Sequence, residues 1–281
     1  MLGEPRARGG RGPDVRSSPV RGVVARRRRS PDAVVKREDT TEPAGSTALG
    51  SAVAFVLLTL VVAGRGGTAL FGDEDLTAWS LGHRPDVALA LARGVTDTGT
   101  GVLPYVLATL AGLMVARTAR QRLTAVIACL FCLAAAQAVR YGVMSLVVRP
   151  RPASAGWATH ASGWSFPSGH TTTSAVAAGL LALAVLARAP RGRRPIALAI
   201  GCWAVLVGLS RVYLGVHWFS DVLGGWLFAT CWLGLCTYAL ARFAPRAHSA
   251  ISAPSLRPGP TTEERRHASH TEPEARPPSA P

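Results

Sequence analysis

Between Thr171 and Ala187 the chain reads TTTSAVAAGLLALAVLA, seventeen residues without one charge. A helix needs roughly 20 such residues to cross the hydrocarbon core of a bilayer. Five further stretches of the same kind lie around it: Thr47 to Gly64, Gly101 to Val115, Leu123 to Leu146, Pro195 to Leu209 and Val222 to Phe243. Six in one chain predict an all-α, six-helix transmembrane bundle, and their many Ala and Gly residues suit close helix packing in lipid. The composition agrees. Apolar types make up 48% of the 281 residues and charged types 17%, against roughly 25% charged in soluble domains, and mean hydropathy is +0.24.

The net charge of +15, from 31 basic and 16 acidic residues, would by itself suit a nucleic-acid partner. Its distribution argues otherwise. Residues 1–44 hold eleven basic and six acidic side chains, including the run Arg26 to Arg29, and residues 244–281 hold five and four. Both tails have too little apolar content to build a core and read as disordered. The N-terminal one reads as a basic segment attracted to anionic lipid. This divides the chain into a tail over 1–44, a six-span domain over 45–243 and a tail over 244–281, with no nucleic-acid partner.

Arginine placement orients the bundle, because short cytoplasmic loops are enriched in positive charge. Arg117, Arg120 and Arg122 lie between spans two and three, and Arg188, Arg191, Arg193 and Arg194 between spans four and five. These turns and both termini are expected to be cytoplasmic in a multi-pass protein of the cell membrane. Alternation then places Arg65 to Thr100, Val147 to His170 and Ser210 to Asp221 outside. In the first of these, Asp86 to Val95 reads as an amphipathic helix along the interface, and Asp97 and Thr98 read as caps for span two. All five cysteines fall within spans and are expected as free thiols, so the Cys129/Cys132 spacing reads as packing and no metal site is expected.

Two external segments carry the chemistry. One contains Arg149-Pro150-Arg151-Pro152 and ends in Pro167-Ser168-Gly169-His170; the other runs Ser210-Arg211, His217, Asp221. Taken singly, Ser168 and Asp221 could be helix caps and Arg149 and Arg151 interfacial anchors. Together on one membrane face they suit a phosphate. Arg151 and Arg211 supply fixed cationic donors, and backbone N–H groups of Ser168, Gly169 and His170 at a helix start offer an anion cradle. Asp221, four residues after His217, can hold one imidazole nitrogen and leave the other free as a nucleophile. His170 is then available as general acid.

With these residues the chain resembles the type 2 phosphatidic acid phosphatase superfamily, in its membrane lipid phosphatase branch. That pattern is Lys-x6-Arg-Pro, Pro-Ser-Gly-His and Ser-Arg-x5-His-x3-Asp on a six-helix core. The second and third blocks match at every defining position, and the resemblance covers about Thr47 to Phe243. It implies hydrolysis of a lipid phosphomonoester or diphosphate, without a metal or other cofactor. His217 would form a phosphohistidine with Asp221 orienting it, His170 would protonate the leaving group, and Arg151, Ser168, Gly169 and Arg211 would hold the phosphoryl oxygens. Prenyl diphosphates, phosphatidic acid and phosphatidylglycerol phosphate are the substrates it suggests, with membrane lipids as surroundings and an extracytoplasmic active site.

The first block departs from the pattern. Counting back from Arg151 puts the lysine position on Met144, and counting from Arg149 puts it on Gly142. Lys36 is the one lysine in the chain. Arg140, one turn before Met144, either replaces the missing lysine as a phosphate ligand or snorkels outward at the interface. His160 reads as a solvated loop histidine. Trp157, Trp164 and Trp218 read as an aromatic belt or as lining for an acyl or prenyl entrance. The drift at Met144 keeps two other functions open, a lipid phosphotransferase and a non-catalytic lipid-phosphate binder or transporter.

Overall fold

The computed structural model describes residues 31–70, 72–188 and 192–245, with side chains from residue 43 onward. Among these residues all regular structure is helical: α1 (Pro31–Gly64), α2 (Asp73–Gly82), α3 (Asp86–Asp97), α4 (Val102–Val115), α5 (Ala119–Val147), α6 (Gly169–Arg188), α7 (Arg193–Tyr213) and α8 (Phe219–Phe243), with one 3-10 turn at Ser154–Gly156. The arginine run and the C-terminal tail beyond Pro245 lie outside the described residues. Residues 31–44, expected within an unstructured tail, form the first turns of α1 instead.

Among the described residues five stretches are long and apolar enough to cross a membrane: Pro43–Gly64, Ala119–Val147, Gly169–Arg188, Arg193–Tyr213 and Phe219–Phe243. The second expected span behaves differently. At ~1.5 Å rise per residue, the fourteen residues of α4 fall short of a ~30 Å hydrocarbon core. They qualify only together with α3, from which α4 is bent by 51°. The expected interfacial helix is therefore joined to α4 across a sharp bend, and it packs on α7. Asp97 is the last residue of α3 and Thr98 its C-cap, while α4 starts after Gly101 with no side-chain cap. Neither Asp97 nor Thr98 caps span two.

Large apolar side chains point outward, the reverse of a soluble domain: Phe131 is 72% exposed and Leu146 85%. Inside, Ala108, Leu133, Ala136, Val176, Phe228 and Ala229 make a core of mostly small side chains. Close helix approach explains the choice. A Cβ on Gly112 would lie 2.5 Å from the Val126 backbone, and one on Gly225 2.9 Å from the Thr171 Cβ, separations that only glycine permits. Gly225 thus seats α8 against the first turn of α6.

Local signals set the ends of α5, which leads into the site. Thr118 and Gln121 form a capping box at its start, two reciprocal bonds that satisfy otherwise orphaned donors. At its end the Val148 N–H donates to the Met144 carbonyl at 3.1 Å, and Val148 takes φ 54, a left-handed conformation costly for a β-branched residue. Pro150 cannot continue a helix. The chain therefore reverses, turning Arg149 into the protein and Arg151 toward the cavity described next.

Candidate active site

The segment from Ser210 to Asp221 folds as a tight connection between α7 and α8, with Gly215 at φ 74. It ends on His217, 2% exposed, with Asp221 at 0% one turn later. Asp221 Oδ2 accepts from the Trp218 N–H at 2.9 Å and lies 3.3 Å from His217 Nδ1. His217 Nε2 lies 2.8 Å from Nη1 of Arg151. A guanidinium can only donate, so Nε2 accepts and Nδ1 carries the proton toward Asp221. The two contacts define the tautomer. Burial first, and then the Arg151 and Arg211 charges, hold the imidazole well below the usual histidine range, keeping the Nε2 lone pair available.

Arg151 is pinned by carbonyls: Nε donates to Gly163 at 3.0 Å, Nη1 to Val216 at 2.8 Å, and Nη2 to Ser162 at 2.8 Å and Trp164 at 3.1 Å. Arg211, 3% exposed, donates from Nη1 to Thr96 Oγ1 at 2.9 Å. Its Nε is buried without a hydrogen-bond partner. His170 Nε2 lies 3.3 Å from Thr100 Oγ1. Arg140 donates from Nε to Gln137 Oε1 at 3.0 Å, with Nη1 3.5 Å from Met144 Sδ. Its guanidinium carbon lies 3.4 Å from where a Cβ on Gly169 would sit.

A cavity of about 500 Å³ brings these groups together, lined by Arg140, Arg151, Arg211, Gly169, His170 and His217. Arg140 therefore points inward, and Met144 lines the same wall without a charge. Ser168 is placed differently from the expectation. Its N–H donates to the Asp221 carbonyl at 3.1 Å, and its buried hydroxyl accepts from Thr171 Oγ1 at 3.0 Å. The cradle at the start of α6 is thus left to Gly169 and His170, and Ser168 ties α6 to α8. Arg149 is not an interfacial anchor: it is 0% exposed, ion-paired to Asp221 at 2.6 Å and Asp73 at 2.9 Å.

His160 is exposed and stands at the cavity wall with Trp164. Trp157 and Trp218 donate from Nε1 to the Pro152 and Pro150 carbonyls at 2.9 and 3.1 Å, bracing the Arg-Pro repeat. Thr96 and Thr100, brought in by the bend between α3 and α4, escaped the sequence reading, as did Asp73 and Ser220. Single threonines carry no spacing signal. Cys132 and Cys236 lie 3.8 Å apart through their sulfurs, and all five cysteines are free. Among the described residues no cluster of three His, Cys, Asp or Glu side chains is arranged to hold a metal ion.

The sequence model of the PAP2 superfamily matches residues 125–244, a range that contains Arg140, Arg151, the start of α6, Arg211, His217 and Asp221. The chain is similar to the PAP2 superfamily over that range, which is less than half of its length. A solved transmembrane PAP2-type phosphatidylglycerolphosphate phosphatase from Bacillus subtilis shares its fold with a TM-score of 0.56 at 25% identity, over 71% of this chain and 96% of that one. Phosphatidylglycerophosphatase B of Bacillus subtilis (strain 168) is 40% identical over 86 residues, which are 30% of this chain and 40% of the relative. An undecaprenyl-diphosphatase of Sulfolobus acidocaldarius is 35% identical over 82 residues, 29% of this chain and 36% of the relative. A lipid A 1-phosphatase of Rhizobium etli is 42% identical over 78, 28% and 30% respectively. The alignments thus span 30% to 40% of the curated relatives' lengths. The chain is a multi-pass membrane protein in which Arg140, Arg151, His170, Arg211 and His217 line one cavity.

Proposed function

We propose that this protein is a membrane lipid phosphatase that hydrolyses a lipid phosphomonoester or diphosphate through a phosphohistidine. The carrying observation is the unprotonated Nε2 of His217 facing a cavity lined by three arginines. Nε2 attacks phosphorus as the bond to the lipid oxygen breaks, and His170 gives that oxygen a proton. Water then attacks the phosphohistidine while His170 takes its proton, releasing phosphate and restoring Nε2. Arg151 and Arg211 with the N–H groups of Gly169 and His170 bind the equatorial oxygens, where charge grows in the transition state. Ser168 supports that cradle from behind. Arg140 stands in for the lysine that Met144 displaces, and positive charge in the site comes from guanidinium groups.

In the resting state Arg151 occupies the lone pair that must attack. A phosphate anion competes for that guanidinium, so substrate binding exposes the nucleophile. The relatives' names supply the candidate substrates: phosphatidylglycerol phosphate, a prenyl diphosphate and a phosphorylated lipid headgroup. We place the domain over residues 45–243 in the cell membrane, with both termini cytoplasmic and the cavity extracytoplasmic. The test is phosphate release by the purified full chain from a panel of these lipids with EDTA present and His217→Ala as control. Release with EDTA that vanishes in His217→Ala supports the reading. Release that survives His217→Ala, or that EDTA abolishes, overturns it.

A further inference from the structure

Among the described residues the most heavily buried charges do not line the cavity. Asp73, at the start of α2, is 1% exposed and Arg149 0%. Asp73 Oδ2 accepts from Arg149 Nη2 at 2.9 Å, Leu70 N–H at 2.8 Å and Ser220 Oγ at 2.5 Å, while Oδ1 accepts from the Ser220 N–H at 2.9 Å. Arg149 Nη1 in turn donates to Ser220 Oγ at 2.7 Å and Asp221 Oδ1 at 2.6 Å. The carbonyls of Gly67 and Thr68 take Nε and Nη2 at 3.3 and 3.0 Å. Every polar atom of this cluster is satisfied.

Two physical arguments give the cluster a role beyond holding the fold. A buried ion pair is a weak source of net stability, because desolvation of the charges offsets their attraction. Its geometric effect here is definite. With Oδ1 fastened to Arg149, Asp221 can offer only Oδ2 to the Trp218 N–H and His217, so the carboxylate cannot rotate. The charge balance matters equally. Asp221 with Arg149 alone would be neutral as seen from His217; Asp73 adds a second carboxylate and leaves one net negative charge beside an imidazole that becomes cationic when Nε2 bonds to phosphorus.

We infer that Asp73, through Ser220 and Arg149, is a positioning residue for the His217–Asp221 pair. This rests on the proposed phosphohistidine reaction. Asp73 never touches the substrate, so its loss slows the chemical step and leaves substrate binding intact.

The test measures kcat and KM of the full-length protein in detergent for Asp73→Asn, Ser220→Ala, Asp221→Asn and the Asp73→Asn/Asp221→Asn pair, with Tm as a folding control. Asp75→Asn, an exposed neighbour on α2, leaves activity unchanged. Asp73→Asn lowers kcat about tenfold or more, with KM within about twofold, as expected where an interaction acts only in the transition state. Ser220→Ala shows the same split more weakly. The double variant loses no more than Asp221→Asn alone, because both changes act on one unit. Full kcat in Asp73→Asn, losses that multiply, or an effect confined to KM would overturn the inference. Should Asp73→Asn fail to fold, Ser220→Ala decides by the same split. An active His217→Ala would instead sink the underlying reaction, so the two failures are separable.

Discussion

At the residue scale the site depends on which nitrogen of His217 is bare. The contact with Arg151 answers that, and three outcomes follow. His217→Ala loses about 10³-fold or more in kcat, the scale of removing a nucleophile from a unit that works together. The second concerns pH. Burial and two arginines disfavour the His217 imidazolium, so the folded protein binds fewer protons here than the unfolded chain below the ordinary value of about 6.5. His217 therefore stays neutral as pH falls through about 6.5, at a cost in stability that grows as pH falls below it. After correction for the ionised fraction of substrate, kcat/KM should show no His217 limb near pH 6.5; a limb there that vanishes in no other variant contradicts the assignment. The third concerns Arg140. Arg140→Ala should cost about 10- to 100-fold in kcat/KM, and Arg140→Lys should recover part of it, since an ammonium keeps the charge but not the planar fork. An Arg140→Ala enzyme with unchanged kinetics would return that arginine to the interface.

At the element scale, the bend between α3 and α4 and the seat of α8 on α6 hold the site together. The bend carries Thr96 to Arg211 and Thr100 to His170, so an uninterrupted second span could not supply either contact. Thr96→Val keeps the side-chain shape and removes the acceptor. It should raise KM several-fold by freeing Arg211, and an unchanged KM in steady-state assays would show that Arg211 needs no such support. Gly225→Val drives a branched side chain into Thr171 and the Ser168 carbonyl, which stand 2.9 and 3.2 Å from a Cβ at that position. Overpacking of this kind costs about 1–3 kcal/mol. It should lower Tm and displace the cradle of Gly169 and His170, seen as loss of turnover in the fraction that remains folded.

Across the whole molecule, function requires three segments distant in sequence to meet at one end of the bundle. Asp73, Arg149 and Ser220 join them in one buried cluster. Arginine-rich turns lie at the other end, which gives the molecule its proposed orientation. A cysteine introduced at Ala155 in intact cells should react with a membrane-impermeant thiol reagent, and one at Ala119 should react only after permeabilisation. The opposite pattern would invert the protein in the membrane and place phosphate release in the cytoplasm.

Much was legible in the sequence because its signals are local. Long uncharged runs demand helices across lipid, where backbone polar groups must be satisfied internally. Pro-Ser-Gly-His is four consecutive residues, and His217 and Asp221 are four apart, so spacing alone relates those side chains. The short second span misled because α4 reads as an independent segment, and its break from α3 is defined by packing on α7. Arg149 and Arg151 differ by one proline in sequence, and nothing local separates a buried strut from an arginine that lines the cavity. The left-handed turn at Val148 and the distant carboxylate of Asp73 decide between them. The sequence by itself determined the helical membrane fold and the pairing of His217 with Asp221, since both follow from periodicity and near neighbours. Only the tertiary structure decided that Arg140 faces the cavity, that the Ser168 N–H is already engaged and that Asp73 stands behind Asp221, because those facts depend on which helices touch.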